Sequence, residues 1–387
     1  MYHIKTFNQI AAAGLKRFEP NEYIINSSDQ ADAWVLRSHN VHDEAIPPHL
    51  LAIARAGAGV NNLPLDQLAK QGIVAFHTPG ANANAVKELV LASMILSVRP
   101  IVKGFNWVNE QATESQSQLE EAMEQQKRQF LGAELRGKKV GIIGLGAIGA
   151  SLANDLLQLG VDVIGYDPHL SVDAAWNISK HVTRAKHLSE VLGSVDLLSI
   201  HMPLTKETRF SIDRSWFERM KPGMTVLNFA RGELVKDTDL VEAFHHHVGL
   251  YITDFPRHSL IGHPQVMALP HLGASTKESE VNCAIQAVET LKLYLETGNI
   301  RSSANFPNAE LPYTGKRRLA ILHQNVPNMV GQITGELASH GLNIDNMINR
   351  SRGEMAYTLI DLDNNEHEPL SIHALYDIKG VIRVREF

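Results

Sequence analysis

Along the first 80 residues short apolar runs alternate with helix-like stretches. "AWVLRS" (33–38), "LLAIARAG" (50–57) and "GIVAFHTPG" (72–80) each predict a strand running into a loop, and "NNLPLDQLAKQ" (61–71) predicts a helix between two of them. Such alternation predicts a parallel sheet. "NAVKELVLASMILSVRP" (84–100) predicts a long helix that stops before Pro100, because proline pushes its predecessor out of the helical region. Residues 109–128 turn to Gln, Glu and Ser, the composition of an exposed helix or a linker. A second alternation starts at Lys139, with strands predicted at 139–143, 161–166, 195–200, 224–229 and 248–253. "VMAL" (266–269) predicts a short buried strand, and 277–297 a helix.

A Pro- and Asn-rich connector, 305–316, precedes a third pattern. Strands at 317–324 and 354–363, helices at 328–341 and 370–380, and a closing "VIRVREF" fit a β-α-β-β-α-β unit if "NIDNMINRSR" holds the second strand. The expected fold is therefore α/β: two doubly wound domains, Rossmann-like and flavodoxin-like, plus a ferredoxin-like unit. The expected boundaries are 1–99 with 277–305 for one domain, 100–276 for the next, and 316–387 for the last.

Composition narrows the class. The 387 residues are 44% apolar and 20% charged, a globular balance with material for more than one core. A formal net charge of −6 carries no nucleic-acid footprint. Cys283 is the sole cysteine, so no internal disulfide can form and a reducing compartment is favoured. Its place in a helical pattern predicts an inert buried thiol. The N-terminus lacks the pattern of a signal peptide, and the longest apolar run, Leu89–Val98, is about half of the roughly 20 residues a membrane helix needs. A cytoplasmic enzyme without membrane contact is expected. His245, His246 and His247 are adjacent on a helical pattern and so point apart, which predicts a solvated helix end and no metal site.

The most specific stretch is "KKVGIIGLGAIGASLANDLLQLGVDVIGYDP" (138–168). Gly144, Gly146 and Gly149 form G-x-G-x-x-G between an apolar strand and a helix through Ala147 and Ile148. The first glycine makes a tight turn, the second admits a pyrophosphate to the backbone, and the third lets helix and strand pack closely. The helix start supplies free N–H groups and partial positive charge for the diphosphate. Asp167 ends the next strand, eighteen residues after Gly149. A carboxylate there accepts from the ribose hydroxyls and repels a 2′-phosphate, which favours NAD over NADP.

Arg231 follows the predicted strand in "LNFARGELV", and His271 follows a later strand end in "VMALPHLGAST". Ligands of open α/β sheets bind at the carboxyl ends of strands. A guanidinium can clamp the carboxylate and keto oxygens of a 2-keto acid. An imidazole can hand its proton to the carbonyl oxygen as hydride reaches the carbon.

Together these motifs resemble the D-isomer-specific 2-hydroxyacid dehydrogenases, and among them the branch that oxidises D-3-phosphoglycerate at the head of L-serine biosynthesis. "RAGAGVNNLPLDQLAKQGIVAFHTPGANANAVKEL" (55–89) is similar to that family's substrate-domain signature, and "VGIIGLGAIG", "SIHMPLTKETR", "LNFARGEL" and "PHLGAST" to its cofactor-domain signatures in order. The resemblance implies an active site between two doubly wound domains, with His271 as acid/base and Arg231 as substrate clamp. It implies cofactor contacts from His201, Met202, Pro203, Phe229, Ala230, Gly273 and Ala274, and substrate contacts from the loop Ala58, Gly59 and Val60. One part is missing. The family's glutamate partner of the histidine falls at His258 or Ser259, neither of them acidic. Asp254 is the nearby carboxylate, either as the family's nicotinamide-binding aspartate or in partial replacement of that glutamate.

Two features favour a phosphorylated substrate. Arg37-Ser38 ends a substrate-domain strand, and the resembling enzymes use a similar pair on phosphate. "LAILHQNVPNMVGQITGELASHGLNIDNM" (319–347) is similar to an ACT domain, an amino-acid-sensing module. His323, Asn325 and Asn343 match positions that hold L-serine in serine-inhibited members, and their groups suit an amino acid's carboxylate and ammonium. The family pairs through the cofactor domain and again through ACT, so a homodimer or homotetramer is expected. The alternatives are a dehydrogenase for an unphosphorylated 2-keto acid and an NADH-sensing regulator on the same scaffold.

Overall fold

The computed structural model describes residues 1–27, 30–363 and 373–387. The chain forms two compact units, 1–82 with 277–387, and 83–276.

In the first unit five short strands, β1 (Tyr2–Thr6), β2 (Tyr23–Ile25), β3 (Ala33–Leu36), β4 (Ala52–Arg55) and β5 (Val74–Phe76), form a parallel sheet in the order β2-β1-β3-β4-β5. Ala33, Trp34, Val35 and Leu36 are all buried, as a strand covered on both faces requires. β1 and β2 were not predicted: "YHIKT" alternates without a run of strong β-formers, and the sheet, not the segment, makes it a strand.

The second unit opens with the helix Ala83–Val98, which packs on the helix Ala147–Gln158. The predicted domain boundary at 99 therefore differs from the observed division over residues 83–99. Its sheet holds β6 (Lys139–Ile143), β7 (Asp162–Tyr166), β8 (Thr183–Arg184), β9 (Leu197–Ile200), β10 (Met224–Asn228), β11 (Val248–Thr253) and β12 (Val266–Ala268), all parallel, in the order β12-β11-β10-β9-β6-β7-β8. β6 and β9 are neighbours where the strand order reverses, the point at which doubly wound sheets bind ligands. The strand at 266–268 is not buried as predicted. It is the sheet edge, with Val266 and Met267 half-buried and Ala268 exposed. The polar stretch 109–128 contains the exposed helix Gln116–Gln126, started by a Ser115–Gln118 capping box.

The C-terminal strands β13 (Arg318–Gln324), β14 (Ile344–Arg352), β15 (Met355–Leu362) and β16 (Val381–Glu386) form an antiparallel sheet in the order β14-β15-β13-β16. The helix Met329–Ser339 lies between the first two, as the β-α-β-β-α-β pattern requires. The second helix is described at His373–Tyr376; the predicted stretch from 370 to 372 lies outside the described residues. One face of this sheet shares a core with the parallel sheet: Ala320, Leu322, Tyr357 and Leu359 cluster with Ile4, Val35 and Leu291. The predicted third domain is thus part of the first compact unit.

Candidate active site

The dinucleotide turn sits at the end of β6. Gly144 has φ +89°, and a Cβ there would meet the His201 carbonyl at 2.8 Å. Gly149 lies so close under the turn that its Cβ would sit 2.0 Å from the Gly144 oxygen. Gly146 differs, because a Cβ there would enter open space at the start of the helix Ala147–Gln158. Two glycines close the turn and the middle one keeps its outer side bare, which fits a diphosphate laid on the helix start. Asp167 follows β7 and joins the turn to it, with Oδ2 accepting from Leu145 N and Oδ1 from His169 N, each at 2.9 Å. Each oxygen keeps a lone pair for a ribose hydroxyl. Beside it opens a pocket of about 500 Å³ lined by Asp167, Leu170, Val172, Trp176 and Arg184.

His201, Met202 and Pro203 follow β9. The His201 Nε2 meets Ser199 Oγ at 2.8 Å, its Nδ1 is covered and without a partner, and burial pulls its pKa down to about 4. The ring is neutral at ordinary pH.

β10 delivers Arg231. Asn228 at its end is fully buried and acts as a clamp. Its amide N–H groups donate to the Arg231 carbonyl (2.9 Å) and the Tyr251 hydroxyl (3.0 Å), and its oxygen accepts from Ala230 N (3.2 Å). Phe229 is buried, while Ala230 and Arg231 are half-exposed. The Arg231 guanidinium lies over the Phe255 ring, 5.6 Å from its centre. His271 reaches the same ring, with centroids 4.6 Å apart. Phe255 therefore carries the cation and the imidazole on one aromatic platform. Sequence reasoning missed Phe255, although its position directly after a strand-end carboxylate was a usable signal.

Behind them Asp254 is 1% exposed. Its Oδ2 accepts the Gly273 N–H at 2.8 Å and its Oδ1 is buried without a partner. Burial raises its pKa, against the pull of the Gly273 N–H and of the His271 and Arg231 charges. Gly273 is buried and Ala274 half-exposed. His258 and Ser259 are exposed. The segment that would carry the family's glutamate binds Asp237 instead, through Ser259 Oγ and through Arg257 Nε at 2.9 Å. Arg257 also donates to the Gly232 carbonyl.

In the first unit, Arg37 follows β3 and pairs with Glu280 at 2.7 Å, while Ser38 N donates to Asn8 Oδ1 at 3.1 Å. The loop Gly57–Val60 follows β4 and its carbonyls are tied down. Thr78 N donates to Gly57 O at 3.0 Å, His77 Nδ1 meets Ala58 O at 2.9 Å, and Arg55 Nη1 donates to Gly59 O. Arg55 and His77, unassigned in the sequence, are thus the loop's anchors; the signal was an ionisable residue at each strand end. Burial lowers the His77 pKa, against the pull of its bond to Ala58.

In the C-terminal sheet His323 is buried, with Nδ1 at 2.8 Å from Gln324 O and Nε2 at 2.8 Å from Thr358 Oγ1. Asn325 Nδ2 donates to Gly353 O, and Asn343 Nδ2 to Asp363 Oδ2. Asn343 precedes the nine-residue β14 and Asn325 lies beside its far end, about 25–30 Å away at a strand's rise per residue. Within one chain the three are not brought together.

Residues 91–273 match the NAD-binding domain of the D-isomer specific 2-hydroxyacid dehydrogenases. That match covers just under half of the chain. The dinucleotide turn lies within the matched NAD-binding stretch, and NAD is the cofactor. The chain is 32% identical over 265 residues to the D-3-phosphoglycerate dehydrogenase of Bacillus subtilis (67% of this chain, 48% of that one) and 29% identical over 361 residues to the enzyme of that name from Escherichia coli K12 (88% and 84%). It spans about half the length of the Bacillus and Archaeoglobus fulgidus relatives. Among solved structures, the NAD⁺-bound 3-phosphoglycerate dehydrogenase of Entamoeba histolytica aligns with a TM-score of 0.60 at 23% identity, covering 79% of this chain and 98% of that one. Among the described residues no helix is long and apolar enough to cross a membrane.

Proposed function

We propose that the chain oxidises D-3-phosphoglycerate at C2 to 3-phosphohydroxypyruvate with NAD, the first step of L-serine synthesis. The observation that carries this is the Phe255 platform, which holds Arg231 and His271 together in the unit that bears the dinucleotide turn. NAD, when bound, supplies the hydride acceptor. Arg231 binds the substrate carboxylate and the C2 oxygen through its fork of donors. His271 takes the proton of the C2 hydroxyl through its imidazole, and Asp254, assigned to the nicotinamide, also lends its charge to the resulting imidazolium. Amides of Ala58, Gly59 and Val60 serve a carboxylate, since their loop's carbonyls are already engaged. Arg37 and Ser38 take the phosphate.

L-serine is the proposed effector at His323, Asn325 and Asn343. A site built from all three needs a second copy of the sheet, which fits a homodimer or homotetramer. The test is NAD reduction with D-3-phosphoglycerate, with and without L-serine. Turnover should vanish in His271→Ala and fall with serine. Turnover indifferent to serine removes the effector alone; no turnover in either direction removes the substrate. The segment 257–259, turned to Asp237 in place of a glutamate, favours a second reading as an NADH-sensing regulator. Tight NADH binding with negligible turnover on any 2-hydroxy acid would support it.

A further inference from the structure

The first unit places ionisable side chains at three strand ends, and they are not equivalent. Arg55 and His77 spend themselves on main-chain carbonyls of the loop 57–60. Arg37 points its Nη1 at a carboxylate, Glu280 Oε1, 2.7 Å away. Glu280 lies in the first turn of the helix Lys277–Thr297, where a negative charge is favoured by the helix dipole. Both side chains of the pair are open to solvent, 36% and 47% exposed, so the pair is weak and exchangeable.

We propose that Glu280 is an internal competitor for the substrate's phosphate: its carboxylate holds the Arg37 guanidinium until the phosphate displaces it. The inference rests on Arg37 as the phosphate ligand. Physically, the pair does two things. It biases a long, flexible side chain toward one position while the site is empty. It also weakens the hold of Arg37 on any phosphate group alike, so an anion without the substrate's other contacts is bound only loosely. A phosphate dianion offers the guanidinium two oxygens and more charge than one carboxylate does, and wins the exchange. The bound state then leaves Glu280 to the solvent and to its helix N-terminus.

The test compares wild type with Glu280→Gln, Arg37→Ala and the double variant, reading KM and kcat for D-3-phosphoglycerate and for D-glycerate, and inhibition by inorganic phosphate. Glu280→Gln should lower KM for phosphoglycerate up to about fivefold, the worth of an exposed ion pair, with kcat unchanged. It should tighten phosphate inhibition similarly and leave KM for D-glycerate, which has no phosphate, where it was. The effect should disappear on the Arg37→Ala background. Arg37→Ala that spares KM for phosphoglycerate means that Arg37 is not the phosphate ligand, and both readings fall. Arg37→Ala that raises KM while Glu280→Gln leaves it unchanged or raises it overturns the competitor alone. A merely structural Glu280 would shift both substrates together and lower the melting temperature.

Discussion

Asp254 is a carboxyl kept where its charge is costly. It is buried, half of it unpartnered, and its pKa is raised by that burial. A carboxyl whose folded pKa is raised costs stability above its unfolded value and gives that cost back as pH falls. Asp254→Asn should therefore raise the melting temperature at neutral pH while lowering kcat by about ten- to a hundredfold, since acid–base catalysis contributes roughly 10²–10⁴ and loses the charge that supports it. Thermal melting and steady-state rates on one preparation check both halves. His201 has the opposite sign. Its pKa falls from 6.5 to about 4 on folding, so the unfolded chain binds the extra proton between those values. Stability should drop as pH is lowered from 6.5 to 4, by on the order of 2–3 kcal/mol from this residue. Urea titrations of wild type and His201→Gln over that window should diverge toward low pH.

The dinucleotide turn is the element whose sequence spacing translates most directly into geometry. Its three glycines nonetheless do different work, and only the packing tells them apart. Gly149→Val drives a side chain into the Gly144 carbonyl and should cost about 1–3 kcal/mol as overpacking does. Gly146→Val meets nothing and should fold normally, but lose NAD binding by filling the diphosphate's place. Denaturant titration and cofactor binding by fluorescence separate the two. The same contrast explains which elements were legible. β6, β9, β10 and β11 are apolar runs buried in the sheet, and their composition announces it. β12 has a similar run but pairs on one side only, so it is half-exposed. β8 is two residues long and exists because β7 lies beside it.

At the scale of the molecule, the C-terminal sheet is built into its neighbour. Arg385 donates to the carbonyls of Tyr294 (3.1 Å) and Leu295 (2.9 Å) at the end of the helix Lys277–Thr297. Arg383 donates to Leu50 O and Pro48 O, and Arg318 donates to Thr297 O and Pro312 O, both at 3.0 Å. Arg318 is fully buried and forms a two-bond pair with Asp361 at 2.5 and 2.9 Å. Arg318→Met strands the Asp361 charge and should cost about 3–5 kcal/mol. A chain ending at residue 315 should not leave a stable first unit, because Ala320, Leu322, Tyr357 and Leu359 close its core. One cooperative transition for this unit in calorimetry supports that view; separate melting of the C-terminal sheet would refute it.

Local chemistry was readable from the sequence alone. Strand and helix periods, the three-glycine spacing with its acid, and Arg231 and His271 after strand ends are all properties of short segments, where residue type and spacing act over one or two turns. The tertiary structure decided what depends on partners distant in the chain. It set Phe255 between Arg231 and His271, gave Asp254 its burial, tied the loop 57–60 to Arg55 and His77, and merged the last sheet into the first unit. Burial and desolvation are set by what packs around a residue, and a linear pattern does not contain its neighbours in space.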